Sequence, residues 1–156
     1  MPPYCEPKAI RKPHPPILIG AAGEKMNLKV VAKHANIWNT FGSPEIFRNK
    51  LKILKDHCVT VGRNFNEIEL SWAGFGMVCK TESEKQAALN KVATTWGRKP
   101  EEMDPMALVG TVDQIRARID EFLSIGVTHF IVSLGPPFDH DGMRHFAEEI
   151  IPKYKP

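Results

Sequence analysis

The sequence predicts an α/β protein built on a parallel sheet, because two kinds of segment alternate along the chain. Short runs of β-branched and aromatic residues are typical of buried strands, and segments with apolar residues at helical spacing lie between them. Capping residues mark where the helices begin. A connection that contains one helix places the two strands it joins parallel. The pattern yields four strands with intervening helices.

The first half of the chain contains two predicted strands. Ile17 to Ile19 form the first strand, Glu24 to Ala35 a helix, and residues 36–41 the second strand. Ser43 is a capping residue for the next helix, and Gly62 ends that helix.

The third strand lies between Ile68 and Cys79 and contains Gly74 and Gly76. Glycines inside a strand indicate a bulge or a close approach by a ligand or by backbone. Thr81 then opens a helix through a capping box. The side chains predicted to be buried in that helix are Leu89, Val92 and Trp96.

Residues 97–107 are polar and contain proline, so we expect an irregular loop that is either functional or disordered. A second capping box, at Thr111, opens a helix that ends at Gly126. Its predicted buried side chains are Ile115, Ile119, Phe122 and Leu123. Thr128 to Leu134 form the fourth strand, and Gly142 to Ile151 form the last helix.

Composition excludes several classes of protein. The net charge of +3 is small and the basic residues are scattered, which argues against a nucleic-acid partner. No apolar run reaches the roughly 18 residues that span a membrane, so we expect no membrane partner. Cys5, Cys58 and Cys79 lie far apart without metal-ligand spacing, and they indicate reduced thiols in a cytoplasmic protein.

The stretch from Pro15 to Lys25 is the strongest candidate site. It combines an apolar strand, a turn of small residues from Gly20 to Gly23, and the start of a helix. Backbone can approach a ligand closely at such a turn, and the helix start adds free N–H groups and the positive end of a dipole. The unit predicts an anion site. A small-residue turn that serves packing alone is an equally good interpretation.

Three ordered segments resemble the luciferase-like monooxygenase superfamily, in particular its deazaflavin-dependent oxidoreductase branch. They are Pro13–Gly20 with Gly23-Glu24-Lys25, Ala35–Gly42, and Leu108–Thr111 with Gly126–Leu134. Members of that superfamily are (β/α)8 barrels, and the resemblance covers only their C-terminal half. It therefore implies a (β/α)4 half of a TIM-type barrel over residues 17–156, preceded by a proline-rich arm over residues 1–16.

The resemblance implies a flavin- or deazaflavin-dependent oxidoreductase or monooxygenase with FMN or the deazaflavin coenzyme F-420 as its cofactor. It assigns no catalytic residue to this half, and the sequence indicates no metal. The cofactor-binding residues that it implies are Gly20, Ala21, Ala22, Gly23, Lys25, Asn39, Thr40 and Gly42. The alternative is a non-catalytic, self-associating half-barrel remnant that binds anions weakly at most.

A half-barrel sheet has two unpaired edges and an inner face that meets water. Such a surface predicts association, and a homodimer through the open face and the edge strands is the simplest solution. A fragment of a longer gene product is the other interpretation.

Individual polar residues have ordinary alternatives. Lys25 is either a phosphate partner or a solvated helix lysine. His129 is either a titrating group or a packed strand histidine. The acidic and histidine cluster after the last strand matches no specific metal site; its members are Asp139, His140, Asp141 and His145.

Overall fold

The computed structural model describes residue 6, residues 8–134 and residues 140–154. Five strands form one sheet: β1 Leu18–Gly20, β2 Ile37–Thr40, β3 Glu69–Val78, β4 Leu108–Gly110 and β5 Val127–Ser133. Six α-helices connect and follow them: α1 Asn27–His34, α2 Pro44–Val61, α3 Glu82–Trp96, α4 Pro100–Met103, α5 Val112–Ile125 and α6 His140–His145. After α6 the chain continues through a π turn, Phe146–Ile150, and a 3-10 turn, Ile151–Tyr154.

Every strand pair in the sheet is parallel, as the sequence predicts. β1 pairs with β2, β2 with β3, and β3 with β5 along most of its length. The last three residues of β3 pair with β4 instead. Among the described strands, β1, β5 and the short β4 each have a single neighbour, so the sheet is not closed. The predicted half-barrel architecture is confirmed in this respect.

The hydrophobic core lies between one face of the sheet and the helices. We call this face the outer face; it carries Ile19, Trp38, Trp72 and Phe130, which alternate with residues of the opposite, inner face. The ring centroids of Trp72 and Phe122 lie 5.4 Å apart in this core. The contacts anchor the sheet to α2 and α5. On the inner face, Phe75 packs against residues of α3 and α4 in a second, smaller core cluster, and Ser71 is fully buried, so this face is only partly uncovered.

Helix ends follow the capping chemistry of the sequence. The side chain of Ser43 accepts a hydrogen bond from the N–H of Ile46, and Gly62 ends α2 in the left-handed region with φ of 70°. Thr111 and Gln114 form the reciprocal capping box at α5. At α3, Thr81 caps Glu84, whereas the Glu84 carboxylate accepts from the N–H of Lys80 rather than from that of Thr81.

Two predictions for the segment between α3 and α5 are wrong. Residues 97–107 contain α4 and a 3-10 turn with Met103 fully buried, because that methionine packs in the smaller core cluster with α3. Leu108 to Gly110 form a fifth strand, since their backbone pairs with the end of β3.

Helix α1 begins at Asn27, three residues after the predicted Glu24. Residues 24–26 form a turn instead, and two side chains of α2 hold it in place. Lys50 donates to the carbonyl of Ala22, and His57 hydrogen-bonds the carbonyl of Glu24. These contacts join residues that are 28 and 33 positions apart, so the local spacing of apolar residues does not indicate them.

Two side chains predicted to be buried are exposed. Trp96 is 56% exposed because it ends α3, where its ring stacks on Phe41 with centroids 4.9 Å apart. Leu123 is 40% exposed because it borders an open groove between α5 and the C-terminal turns. Within the described ranges, no helix combines the length and the apolar character needed to cross a bilayer.

Candidate functional site

The turn between β1 and α1 is a firmly held backbone segment. The indole N–H of Trp38 donates to the carbonyl of Ala21 over 3.0 Å in the core, and the N–H of Ala21 donates to the carbonyl of Asn39. Lys50 holds the next carbonyl from α2 over 2.6 Å. The turn is therefore fixed from both sides before any ligand arrives.

The N-terminus of α1 differs from those of α2, α3 and α5. Met26 precedes the helix, and no side chain caps it. The first N–H groups of a helix have no partner within the helix and carry the positive end of its dipole. The N–H of Leu28 already donates to the carbonyl of Gly23. Gly23 and Lys25 in the adjoining turn are exposed, so an anion can approach the rest of this helix start from solvent.

A row of small and polar residues crosses the inner face in register with this turn. Gly20 of β1 lies beside Asn39 of β2, Asn39 beside Ser71 of β3, and Ser71 beside His129 of β5. The side-chain amide of Asn39 donates to the Ser71 hydroxyl over 2.9 Å. His129 Nδ1 lies 3.9 Å from the carboxylate of Glu69, and both side chains are partly exposed.

Apolar cavities lie beyond this row, towards the carboxyl ends of the strands. One of about 230 Å3 is lined by Phe41, Phe75, Trp96 and Ile131 among others. A second of about 270 Å3 lies on the other side of Phe75, next to α3 and α6. Ligand sites of parallel α/β folds occur at these strand ends.

The structure brings together some of the predicted cofactor residues and separates others. Gly20 and Asn39 lie side by side in the row, and Ala22, Gly23 and Lys25 share the exposed turn. The remaining three have roles in the fold. They are Ala21, which is buried and bonds Trp38; Thr40, which is buried on the outer face; and Gly42, whose carbonyl accepts from Trp72.

Space at Gly20 fits a ligand placed against the sheet. A Cβ atom added there meets no atom within 4 Å, so the inner face is open at this point. At Gly74 and Gly76, by contrast, an added Cβ atom would collide with the side chains of Trp72 and Val132, respectively. The close approach predicted at these glycines is therefore made by side chains of the protein itself.

Thr40 contains an unusual buried atom. Its hydroxyl oxygen has no hydrogen-bond partner, although the side chain is only 4% exposed. It lies on the outer face with Trp38, so it does not face the row of Asn39 and Ser71.

The described residues contain no group of three or more His, Cys, Asp or Glu side chains placed to hold a metal. Of the cluster after β5, Asp139 lies outside the described residues. Arg144 pairs with Asp141 over 3.4 Å on the surface. Cys58 and Cys79 are free and buried, and burial raises the pKa of both thiols.

The sequence reasoning missed Ser71, Phe41 and Phe75 as members of the inner face. Alternation from Asn39 could have found Phe41 directly, since the predicted strand over residues 36–41 contains both, although β2 itself ends at Thr40. Ser71 and Phe75 required the register between β2 and β3, which no local pattern gives.

No family model matches this sequence. Solved structures match it by fold. The coenzyme F-420 dependent tetrahydromethanopterin reductase from Methanopyrus kandleri superposes with a TM-score of 0.69 at 20% identity, covering 90% of this chain and 51% of that one. An F-420-dependent secondary alcohol dehydrogenase, in complex with an F-420–acetone adduct, gives 0.73 at 16% identity, covering 90% and 49%.

A third structure extends the likeness to an FMN-containing protein. The oxygenating constituent of 3,6-diketocamphane monooxygenase from Pseudomonas putida, in complex with FMN, gives a TM-score of 0.61 at 12% identity, covering 91% and 50%. Flavin- and F-420-dependent oxidoreductases and monooxygenases are thus the structural neighbours of this chain. At these identities the likeness shows the fold. This chain spans about half the length of the structures it matches.

Proposed function

We propose that this chain is the cofactor-phosphate-binding half of a flavin- or deazaflavin-dependent oxidoreductase or monooxygenase. The observation that carries the proposal is the exposed, uncapped turn before α1, beside the polar row of the inner face, on a fold shared with such enzymes. The cofactor is FMN or F-420, both of which carry a phosphate.

The residues present are suited to such a cofactor. The backbone of Ala22 and Gly23 and the ammonium of Lys25 would meet the phosphate at the start of α1. Gly20 leaves room for a flat ring against the sheet, and Asn39 offers amide groups next to it. When bound, the cofactor supplies hydride transfer or oxygen activation, while the protein positions it and excludes water.

The test is a titration of FMN, F-420 and riboflavin, followed by fluorescence. Riboflavin is FMN without its phosphate, so the pair isolates the phosphate contribution. Ala22→Asp places a carboxylate at the exposed turn without filling the core, and a like charge about 5 Å from a phosphate weakens binding by about tenfold or more. Asn66→Asp makes the same charge change on a distant exposed turn and serves as the control.

We expect FMN or F-420 to bind in the micromolar range, Ala22→Asp to weaken that binding, and Asn66→Asp to leave it unchanged. Riboflavin should bind more weakly and be insensitive to both changes. Absence of binding for FMN and F-420 at 100 µM would sink the proposal.

A non-catalytic, self-associating half-barrel is the second candidate. The observation that favours it is the set of apolar side chains exposed at the edges of the sheet, which promote association whether or not a cofactor binds. This candidate predicts that the chain associates with itself. In the same titration, FMN and F-420 would bind at most weakly, as anions, and riboflavin would not bind.

A further inference from the structure

The exposed apolar side chains of this protein are concentrated at the two open sides of the half-barrel. Ten large hydrophobic side chains are exposed among the described residues, and seven lie at these sides. The first flank, β1 with α1, carries Ile17, Leu18, Met26 and Val30. The last flank, β5 with the segments packed beside it, carries Leu123, Ile131 and Ile151.

The strand at each flank also has a free hydrogen-bonding edge. Ile17, Ile19 and Ala21 direct their backbone groups towards β2, so alternation directs those of Leu18 and Gly20 outward. On the other side, β5 pairs with β3 and with no other described strand. An open parallel edge of this kind is a template for a further strand.

We propose that a second copy of this chain completes the barrel, with β1 of each copy pairing in parallel with β5 of the other. The twofold axis then runs along the barrel, and both seams are equivalent. Each copy contributes β1, β2, β3 and β5, which gives eight parallel strands around one interior. Eight is the number of strands whose interior side chains just fill a barrel.

The coverage of the structural neighbours indicates why the occupant is another half-barrel of this size. Nine-tenths of this chain superposes on 51% and 49% of two neighbouring structures. What those folds have in addition is a segment of about the same length as this chain. A second copy supplies that length with matching strand direction.

The flanks are also complementary in shape. A strand added beside β5 places its outer-face residues next to Phe130, at a groove of about 190 Å3 lined by Leu123, Ile150 and Ile151 among others. Ile17 lies on the outer-face side of β1, as Ile19 does, and is 41% exposed. It is the side chain that the groove would receive. Leu18 and Ile131 then meet inside the barrel.

The exposed area is of the right order for a stable dimer. Each half-exposed aliphatic side chain offers roughly 50 Å2 of apolar surface, so seven from each copy give roughly 700 Å2. The inner faces and the two strand edges add to this. Specific interfaces bury about 1,200–2,000 Å2 in total.

The consequence for the site is direct. In the row of Gly20, Asn39, Ser71 and His129, one copy already buries Ser71 and leaves Gly20 exposed and His129 partly exposed. Closing the barrel encloses the exposed part of the row opposite the same row of the second copy. The inference does not rest on cofactor binding, because the oligomeric state is measured without any ligand.

The test begins with light scattering of the chain at about 50 µM. We expect a mass of about 35 kDa, twice the 17.5 kDa of one chain. Ile131→Glu puts a charge on the inner face of the last flank, and Leu18→Pro removes an outward N–H that the single chain does not use. Both should shift the mass to that of a monomer, with an unchanged circular dichroism spectrum.

Val59→Glu is the matched control, since Val59 is 82% exposed on α2 and away from both flanks. This variant should remain a dimer. A wild-type chain that stays monomeric at 200 µM overturns the proposal and assigns the open sides to a different half-barrel. So does a dimer that survives both flank substitutions.

Cross-linking tests which edges meet. In a Cys5→Ser background, Leu18→Cys and Ile131→Cys are prepared separately and treated with a short bis-maleimide. The proposal requires a cross-linked dimer in the mixture of the two variants and little in either alone. Strong cross-linking of Leu18→Cys with itself contradicts the edge pairing proposed here.

Discussion

Gly74 is the position at which one added methyl group should be most costly. A Cβ atom built there lies 2.2 Å from Cζ2 of Trp72, far inside van der Waals contact. Trp72 cannot move aside easily, because it is fully buried, its ring lies 5.4 Å from that of Phe122, and its indole N–H bonds the carbonyl of Gly42. Gly74→Ala therefore forces overpacking.

The expected loss in the free energy of unfolding is about 1–3 kcal/mol from overpacking. Replacing glycine by alanine also reduces the conformational entropy of the unfolded chain, which offsets about 0.4–1 kcal/mol of this loss. For a protein of this size each kcal/mol lowers Tm by roughly 2–4 °C. Gly20→Ala is the control, because its Cβ meets open space and the same unfolded-state term should make it neutral or slightly stabilising.

Urea unfolding at one fixed protein concentration measures both variants, since self-association would shift apparent stability. A double-mutant cycle with Trp72→Leu adds a sharper criterion. Removing the ring should relieve the clash, so the cycle should give a favourable coupling above about 1 kcal/mol. If Gly74→Ala is as stable as the wild type, or if the cycle is additive, the packing described for β3 is wrong.

Three further predictions concern other parts of the fold. Trp38→Phe leaves the buried carbonyl of Ala21 unpaired, which should cost about 1–3 kcal/mol in urea unfolding and speed amide exchange in the turn before α1. Thr111→Ala removes the cap of α5 and should cost about 0.5–2 kcal/mol, whereas Thr111→Ser should restore most of it. The hydrogen bond from Lys153 lowers the pKa of Asp120, so this carboxylate contributes stability above its unfolded pKa, near 3.8, that is lost as the pH falls through the folded value. Asp120→Asn should accordingly lower Tm slightly at pH 7 and by less as the pH falls below 3.8, and a difference in Tm that does not change with pH would contradict the ion pair.

The alternation of strands and helices was predictable because it depends on local patterns. The caps at Ser43 and Thr111, the stop at Gly62 and the apolar spacing of α2 are all encoded within a few residues of one another. The parallel direction followed from the short helical connection between the first two strands. These features appear in the structure with small shifts in their bounds.

What escaped prediction depends on contacts between residues far apart in sequence. β4 becomes a strand only because the end of β3 is free to pair with it, and its three residues carry too little pattern to indicate this alone. The late start of α1 depends on Lys50, 28 residues beyond the carbonyl it holds. Trp96 is a large aromatic residue of the kind that is usually buried in a core. Its position at the end of α3 nevertheless leaves it beside an open cavity.

Only one part of the candidate site could be predicted from the sequence, for the same reason. The turn from Gly20 to Gly23 is a local motif, so the sequence indicated it. The polar row is a property of register, because Asn39, Ser71 and His129 come from three separate strands. Asn39 and Thr40 are successive residues of β2, so their side chains point to opposite faces, and Thr40 lies away from the polar row.

The amides of Leu18 and Gly20 test most directly whether a second copy completes this sheet. Both point away from β2, while the amide of Ile19 between them points towards it and serves as an internal reference. Hydrogen exchange at high and at low protein concentration should show both outer amides protected when the chain is concentrated and fast when it is dilute, with Ile19 protected throughout. Fast exchange of Leu18 and Gly20 at every concentration would contradict a barrel closed by a second copy.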